Sequence, residues 1–205
     1  MAKISLVKRT LKNNGEAVYK EVNKMERLIL KDKEFIIRNF YEDDIYKPKK
    51  LLSFIDNMID DSDAMITLRV RKTAEQEKEW FMDMLSAIRN SRMAMLIAEF
   101  NDRIVGGAEI SFCSECEEHI AEFSISIIKD YRSYGLGSYL LSRITDIAEK
   151  NLKPKPTIIK LSVFSNNKHA IALYQKYGFD IVSRIPNRFE FNGRFVDEII
   201  MLKFI

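Results

Sequence analysis

Residues 131–141, with the sequence YRSYGLGSYLL, combine a cationic side chain with two closely spaced glycines. Gly135 and Gly137 have no Cβ that could block a ligand, so backbone N–H groups can point inward there. The amphipathic pattern that follows predicts a helix, whose N-terminus adds about half a positive charge. Arg132 brings a guanidinium group that suits phosphate oxygens. The segment therefore predicts a phosphate-binding loop between an apolar strand over residues 123–128 and a helix.

The same pattern also fits a plain strand-to-helix connection whose glycines only allow close packing. Two other phosphate motifs do not fit. No segment reads G-x-x-x-x-G-K-S or G-x-x-x-x-G-K-T, and the third glycine and the downstream acidic residue of a dinucleotide fingerprint are lacking. A P-loop NTPase and a dinucleotide-binding domain are therefore unsupported.

A second block, KLSVFSNNKHAIALYQKYGF at residues 160–179, has a similar organisation. An alternating strand over residues 158–164 meets an Asn-Asn turn, and a short helix follows. Gly178 is suited to end that helix before Phe179 opens another strand. Two strand-helix units of the parallel type are therefore expected side by side.

The two blocks, R-x-x-G-x-G and then N-x-x-A-x-x-L-Y-x-x-x-G-F, closely resemble the GCN5-related N-acetyltransferase (GNAT) family. The resemblance covers roughly residues 35–205. It implies a mixed α+β, GNAT-like acyl-CoA N-acyltransferase fold, whose twisted, mostly antiparallel sheet is splayed at the cofactor site and flanked by helices. It also implies an enzyme that moves an acetyl group from acetyl-CoA, as co-substrate, to a primary amine by direct attack in a ternary complex. No metal is implied.

The family pattern also implies roles for individual residues. The pantetheine arm would hydrogen-bond the backbone of Ile125 and Ile127 like an added strand. Asn167 matches an asparagine that contacts the cofactor. Tyr174 matches a tyrosine near the CoA sulfur that is proposed as the general acid for the departing thiolate. The pyrophosphate would lie on the loop residues Arg132, Ser133, Tyr134, Gly135, Leu136, Gly137 and Ser138.

Glu122 is the best-placed candidate for the general base, because it precedes the alternating run over residues 123–127 on the strand that family members use for catalytic carboxylates. It could equally be a solvent-facing strand residue. Ribosomal-protein alanine acetyltransferases of this family place a glutamate on the following strand, where this chain has Ser162, which cannot accept a proton at neutral pH. Tyr174 likewise has a structural alternative, an aromatic residue that packs across its helix with its hydroxyl at the surface.

The composition fits a single globular domain that is expected to be cytoplasmic. Net charge is only +3 over 205 residues, which argues against a dedicated nucleic-acid binder. No apolar stretch has the length of a membrane-spanning helix, and the first residues lack a signal-peptide pattern. Basic residues near the N-terminus nevertheless leave a nucleic-acid role open, for which binding would depend steeply on salt.

Cys113, Cys116 and His119 form a C-x-x-C-x-x-H pattern. The pattern could supply three metal ligands or a redox pair. A closed zinc site needs four ligands, and a redox pair belongs at a helix start, whereas this segment resembles a turn between antiparallel strands. We therefore interpret the cysteines as free thiols near a hairpin and predict no metal site.

The remaining elements complete this fold. Residues 1–33 are predicted to be an N-terminal extension, either a hairpin or a mobile arm, and residues 34–205 the acetyltransferase domain. A first strand, at residues 34–40, precedes a helix capped by Glu42, Asp43 and Asp44. A second helix opens with a Thr73 and Gln76 capping box. An antiparallel meander (residues 93–100, 104–112 and 119–128), a helix from Leu136, and a hairpin over residues 189–204 with Asn192-Gly193 at its turn then follow.

The acceptor amine is not encoded in a motif that can be translated. A small molecule, a peptide N-terminus and a lysine all remain open, and five carboxylates (Glu42, Asp43, Asp60, Asp61 and Asp63) could attract a polyamine or simply be solvated. An alternative is a CoA-binding regulatory module of the same fold with weak or no transfer. The terminal hairpin is compatible with a homodimer.

Overall fold

The computed structural model describes residues 4–7, 25–46, 48–67, 71, 73–112 and 117–205. Within these residues the chain forms nine strands and five α-helices. The strands are β1 (Ile4–Val7), β2 (Met25–Leu30), β3 (Lys33–Asn39), β4 (Met93–Phe100), β5 (Arg103–Ser111), β6 (Ile120–Ile127), β7 (Ile158–Phe164), β8 (Asp180–Phe191) and β9 (Arg194–Phe204). The helices are α1 (Glu42–Tyr46), α2 (Lys49–Asp60), α3 (Ala74–Arg89), α4 (Leu136–Asn151) and α5 (Lys168–Lys176), and a short 3-10 helix spans Lys129–Tyr131.

All described strands belong to one sheet with the order β1-β2-β3-β4-β5-β6-β7-β9-β8. Among them, β6 and β7 are the only parallel neighbours, because the chain crosses over through α4 between them. The other neighbours are antiparallel. This arrangement confirms the mixed, mostly antiparallel α+β fold predicted from the sequence.

The sheet separates two hydrophobic clusters. Alternation along β4 sends Leu96 and Ala98 to the cluster that contains α4, and Met93 and Ile97 to the cluster that contains α2 and α3. The buried stripe of α4 (Leu136, Leu140, Leu141, Ile144 and Ala148) packs on the first face. The sequence pattern predicted a core-facing stripe of Leu136, Leu140, Ile144 and Ile147, of which Ile147 is only partly buried. Helices therefore cover both faces of the central strands.

The segment after β3 differs from the prediction of one helix with acidic caps. Two helices form, since Pro48 stands immediately before α2 and cannot continue a helix from α1. Asp44 does not cap α2. Its carboxylate lies in a buried ion pair with Arg38, 2.7 Å away, and Arg38 also binds Glu99 at 2.8 Å. The same carboxylate accepts from the Tyr41 N–H at 3.0 Å, so Asp44 caps the start of α1 and also binds a buried arginine.

The other local signals in the sequence are confirmed. Thr73 and Gln76 exchange both hydrogen bonds of a capping box at the start of α3, at 2.9 and 3.3 Å. At the β8–β9 turn, Asn192 and Gly193 both have positive φ, as a tight hairpin turn requires.

The N-terminal strands extend the same sheet. β2 pairs with β3 from Glu26↔Ile37 to Leu30↔Lys33, and β1 pairs with β2. The domain boundary between residues 33 and 34, the cytoplasmic location and the homodimer stay predictions. The basic residues at positions 8, 9 and 12 lie outside the described residues. Among the described helices, none is long and apolar enough to cross a membrane.

Candidate active site

The two parallel strands part in the middle of the sheet. Pairing of β6 with β7 runs from Ile120↔Ile158 through Glu122↔Lys160 and then stops, although β6 continues to Ile127 and β7 to Phe164. β6 stays paired with β5 along its other side as far as Gly106↔Ile127. The edge of β6 that faces β7 can therefore hydrogen-bond an extended ligand beyond Glu122, which is where Ile125 and Ile127 lie.

A cleft of about 470 Å³ opens between the parted strands and the helices α2 and α3. Its walls are apolar and include Phe54 and Met58 of α2 and Trp80 and Met84 of α3. The polar side chains that line it come mainly from the sheet and α5: Glu109, Glu122, Ser124, Ser126, Ser162, Asn167 and Tyr174. Apolar walls with a few convergent polar groups are typical of a small-molecule site.

The glycine-rich loop enters α4 beside this opening. Gly135 is the N-cap of α4 with φ +93°, a left-handed conformation that disfavours a side chain, and Ser133 also has positive φ. A Cβ at Gly137 would lie 3.4 Å from Ile127 Cδ1 and 3.5 Å from Leu173 Cδ2. The loop thus approaches β6 and α5 closely, and the first N–H groups of α4 have no partner within the helix.

Arg132 follows the 3-10 helix that leads into this loop, and its guanidinium group is already engaged. Its Nε donates to the Ile127 carbonyl at 2.9 Å, and its Nη2 binds the Asp61 carboxylate at 2.7 Å. Arg132 therefore ties the end of α2 to the end of β6. To contact a phosphate, Arg132 would have to use its remaining N–H groups or release the Asp61 carboxylate. Its role in phosphate binding therefore stays a prediction.

Asn167 and Tyr174 lie at opposite ends of α5. The Oδ1 atom of Asn167 accepts from the Ala170 N–H at 3.2 Å and caps the helix, which leaves its amide NH₂ as a donor beside the cleft. The Tyr174 ring packs edge-on against Phe123 with centroids 6.0 Å apart. The side chain is buried, not at the surface, and burial raises the pKa of its hydroxyl to about 12.

Glu122 stands at the point where β6 and β7 part. Lys160 donates to its Oε1 at 2.6 Å across the last residue pair of the two strands. Glu122 still lines the cleft, so the carboxylate faces both a cation and the ligand space. Ser162, two residues further along β7, donates to Glu198 of β9 at 2.5 Å.

One cleft residue was missed by the sequence reasoning. Glu109 of β5 lies opposite Met95 of β4 and Ser124 of β6. Burial raises the pKa of its carboxyl group, and a hydrogen bond from Ser124 opposes that effect. A signal was present in the sequence, since Glu109 is the one carboxylate within the otherwise apolar run over residues 104–110. Its position in the cleft depends on the strand register.

The N-terminal hairpin also reaches the loop, which the sequence did not indicate. A Cβ at Gly135 would meet Leu30 Cδ2 at 3.9 Å. In the β2–β3 turn, Lys31 Nζ lies 4.7 Å from the ring centroid of Tyr134, and Lys33 Nζ lies 5.3 Å from the same centroid. These contacts bring two positive charges to the glycine-rich loop.

Most of the acidic residues that could have attracted a polyamine have ion-pair partners. Glu42 binds Arg89, Asp60 binds Arg71, Asp61 binds Arg132 and Asp63 binds Lys129.

In the described part of the chain, no group of three or more His, Cys, Asp or Glu residues is arranged to hold a metal ion. Cys113 and Cys116 lie outside the described residues.

A sequence model of the acetyltransferase (GNAT) family matches residues 59–179. Among curated proteins, the L-amino acid N-acetyltransferase AaaT of Escherichia coli is 31% identical over 85 residues, 42% of this chain and 51% of AaaT. A Bacillus subtilis subsp. natto protein described as a probable spermine N(1)-acetyltransferase is 39% identical over 77 residues, 38% of this chain and 44% of that protein. The matches span about half the length of these curated relatives.

Solved structures share the fold over most of the chain. A GNAT-family acetyltransferase from Streptococcus pneumoniae aligns with a TM-score of 0.72 and 26% identity, over 84% of this chain and 100% of that chain. YncA from Salmonella typhimurium, solved with its cofactor acetyl-CoA, aligns with a TM-score of 0.66 and 20% identity, over 83% of this chain and 93% of that chain. At this identity the second likeness concerns the fold alone.

Proposed function

The chain belongs to the GNAT family of acetyltransferases, and from this premise we propose that it is an N-acetyltransferase that uses acetyl-CoA and a primary amine. Residues 34–205 would form the transferase domain. The names of the two curated relatives refer to different amines, L-amino acids and spermine. They therefore support an amine acceptor without choosing its class.

The main support is the opening between β6 and β7 beside the glycine-rich loop. Beyond Glu122, the edge of β6 is not paired with β7, and it offers the backbone groups of Ile125 and the N–H of Ile127, whose carbonyl already accepts from Arg132. These groups suit the amides of a pantetheine arm, which would bind like an added strand. The loop over residues 132–138 and the start of α4 suit a pyrophosphate. Acetyl-CoA bound along this path would supply the thioester that the amine attacks at the cleft.

Tyr174 is proposed to act on the sulfur side of the reaction. A phenol with a pKa of about 12 stays protonated at neutral pH and donates a hydrogen bond. Full proton transfer to a thiolate whose thiol has a pKa of ~8.5 would be uphill by about 5 kcal/mol. Hydrogen-bond donation from Tyr174 to the developing thiolate is therefore favoured over complete transfer.

Glu122 is proposed to accept the amine proton, directly or through water. It lines the cleft where the strands part, close to the backbone N–H groups that β6 offers to a developing oxyanion. Lys160 holds the carboxylate in position at 2.6 Å.

The proposal is tested by measuring CoA thiol release from acetyl-CoA with a panel of amines. The panel holds polyamines, simple alkylamines, amino acids, aminoglycosides and N-terminal peptides. Release that requires an amine acceptor, with the acetylated amine identified by mass spectrometry, is the expected result. Saturable acetyl-CoA binding without release for any amine would overturn the transferase proposal and leave a CoA-binding module.

Gly135→Ala is expected to raise the Kd for acetyl-CoA about tenfold. The left-handed backbone at φ +93° costs an alanine roughly 1–2 kcal/mol, and relaxing it would turn the phosphate-facing N–H groups away. Calorimetric titration with acetyl-CoA measures the effect.

Gly193→Ala is the matched control, because Gly193 has φ +70° but lies in the β8–β9 turn with no atom near its Cβ position. It should lose comparable stability and keep its affinity, and an equal loss of affinity in both variants would contradict the phosphate role.

A further inference from the structure

Glu109 is the charged group of the cleft whose purpose the proposed reaction does not explain. Its side chain lies on the sheet floor between Met95 and Ser124 and remains partly accessible to solvent. Among the described residues it has no cationic partner, whereas Glu122 is paired with Lys160. A carboxylate placed in an apolar cleft with only a hydroxyl beside it carries a desolvation cost, which a bound cation would offset.

Among the described residues, the uncompensated charge of the cleft is negative, because Glu122 is paired with Lys160 whereas Glu109 is in no ion pair. Glu109 and Glu122 are the charged side chains among the described residues that line it, and no Lys, Arg or His does so. An acceptor with a carboxylate next to its amine would bring a negative charge into this cleft without a partner. Acceptors of the amino-acid type are therefore disfavoured, while a cationic group is attracted.

The remaining walls suit a hydrocarbon chain. Phe54, Met58, Trp80 and Met84 face the space above the sheet, and Met95 lies beside Glu109 on the floor. Flexible methionine side chains and aromatic faces pack well on methylene groups, and aromatic faces also attract cations. An acceptor that combines methylene groups with positive charge matches both the walls and the floor.

The register of the sheet fixes how the two carboxylates are spaced. Glu109 pairs with Ser124, and Glu122 is two residues before Ser124 on the same face of β6. Such diagonal neighbours lie about 7–8 Å apart, so their side chains can reach two groups separated by a few methylenes. An amine reacting near Glu122 would therefore place a second nitrogen of the same molecule near Glu109.

We propose that Glu109 is a specificity-determining residue that binds the second ammonium group of an aliphatic diamine or polyamine acceptor. This inference rests on the proposed acetyltransferase function and narrows its acceptor to one class. It excludes monoamines and amino acids as the preferred acceptors.

The test compares Glu109→Gln with the wild type on putrescine, a diamine, and butylamine, its monoamine counterpart. In the wild type, kcat/KM for putrescine should exceed that for butylamine by at least about tenfold. Glu109→Gln should raise KM for putrescine about tenfold, with little change for butylamine, and Glu109→Asp should restore part of the preference. Equal use of both amines by the wild type, or equal losses in the variant, would overturn the inference while leaving the acetyltransferase proposal intact. Failure of every amine would instead overturn the acetyltransferase proposal.

Stability provides a readout that does not depend on turnover. The pKa of Glu109 is raised in the folded state, so its ionised form destabilises the fold at pH above that pKa, and the effect fades as pH falls toward the ordinary value of 4.5. Among the described residues that line the cleft, the other titratable groups are Tyr174 and Glu122, which is paired with Lys160, and the lining residues of α2, α3 and β4 are apolar. Glu109→Gln should raise Tm by about 2–4 °C at pH 8 and by less near pH 4.5. Glu190→Gln, at an exposed position of β8, is the control and should leave Tm unchanged. A fall in Tm for Glu109→Gln at pH 8 would mean that the carboxylate serves the fold, and the proposal would be wrong.

Discussion

Tyr174→Phe is expected to lower kcat about 100-fold while leaving the Kd for acetyl-CoA within about twofold of the wild type. The hydroxyl has no hydrogen-bond partner among the described residues, so it is available to a ligand. The ring supplies the packing against Phe123 and Phe179, with centroids 6.0 Å away in each case, and phenylalanine keeps that packing. Loss of the hydroxyl therefore removes a donor to the leaving group without disturbing the core.

The pH dependence of this effect follows from the raised pKa of the Tyr174 hydroxyl. Burial raises the pKa of Tyr174 to about 12, so the hydroxyl remains a donor over the whole working range of pH. The contribution of Tyr174 should thus be independent of pH between about 6 and 9, and kcat of the variant should be lowered by the same factor throughout. A loss confined to one end of the range would point to another titrating group.

Single-turnover and steady-state measurements with the same amine test this prediction. Tyr177→Phe is the matched control, because Tyr177 is the C-cap of the same helix and its hydroxyl is outside the lining of the cleft. Its kcat should equal that of the wild type. Equal kcat in Tyr174→Phe and wild type would contradict the role on the sulfur side.

Glu122→Gln is expected to lower kcat/KM for the amine about 100-fold near neutral pH, with the loss shrinking as pH approaches about 10. A primary ammonium has a reference pKa of about 10.4, so at high pH the amine is already deprotonated and needs no base. A carboxylate with only a structural role would give a loss that does not change with pH. The pH profile therefore separates the two interpretations of Glu122.

The control for this variant is Glu118→Gln. Glu118 binds Arg92 at 2.9 Å, in an ion pair of the same kind as that of Glu122 and Lys160, but outside the residues that line the cleft. Its activity should match the wild type at every pH. A Glu122→Gln variant with a constant loss from about pH 7 to 10 would show that the base lies elsewhere.

The sequence predicted those features that depend on a few adjacent residues. The glycine-rich turn, the Thr73 capping box and the Asn192-Gly193 turn are encoded locally, since each requires a particular residue type at a particular backbone conformation. The interruption between α1 and α2 was also encoded locally, by Pro48, but the acidic residues before it pointed to one continuous helix.

The features that the sequence did not predict depend on contacts between distant segments. Glu109 acquires its position in the cleft only through its register with Ser124, and Lys31 approaches Tyr134 only because the N-terminal hairpin joins the sheet. The ion pair between Arg132 and Asp61 also joins distant segments, because the two residues are 71 positions apart along the chain. Single-sequence patterns give residue types and local periodicity, whereas these contacts follow from strand order.

The strand order has a consequence for synthesis on the ribosome. β9 is inserted between β7 and β8, although it is made after both of them. Until β9 emerges, β7 has no partner on that side and β8 cannot join the sheet, so Phe189 of β8 cannot stack on Phe164 of β7, 4.2 Å away in the finished protein. Because both aromatic rings line the cleft, a nascent chain can already contain the whole glycine-rich loop and Tyr174 before Phe164 and Phe189 have come together to complete the lining. During translation, the part of the cleft that we propose to bind acetyl-CoA can therefore be present before the cleft is complete.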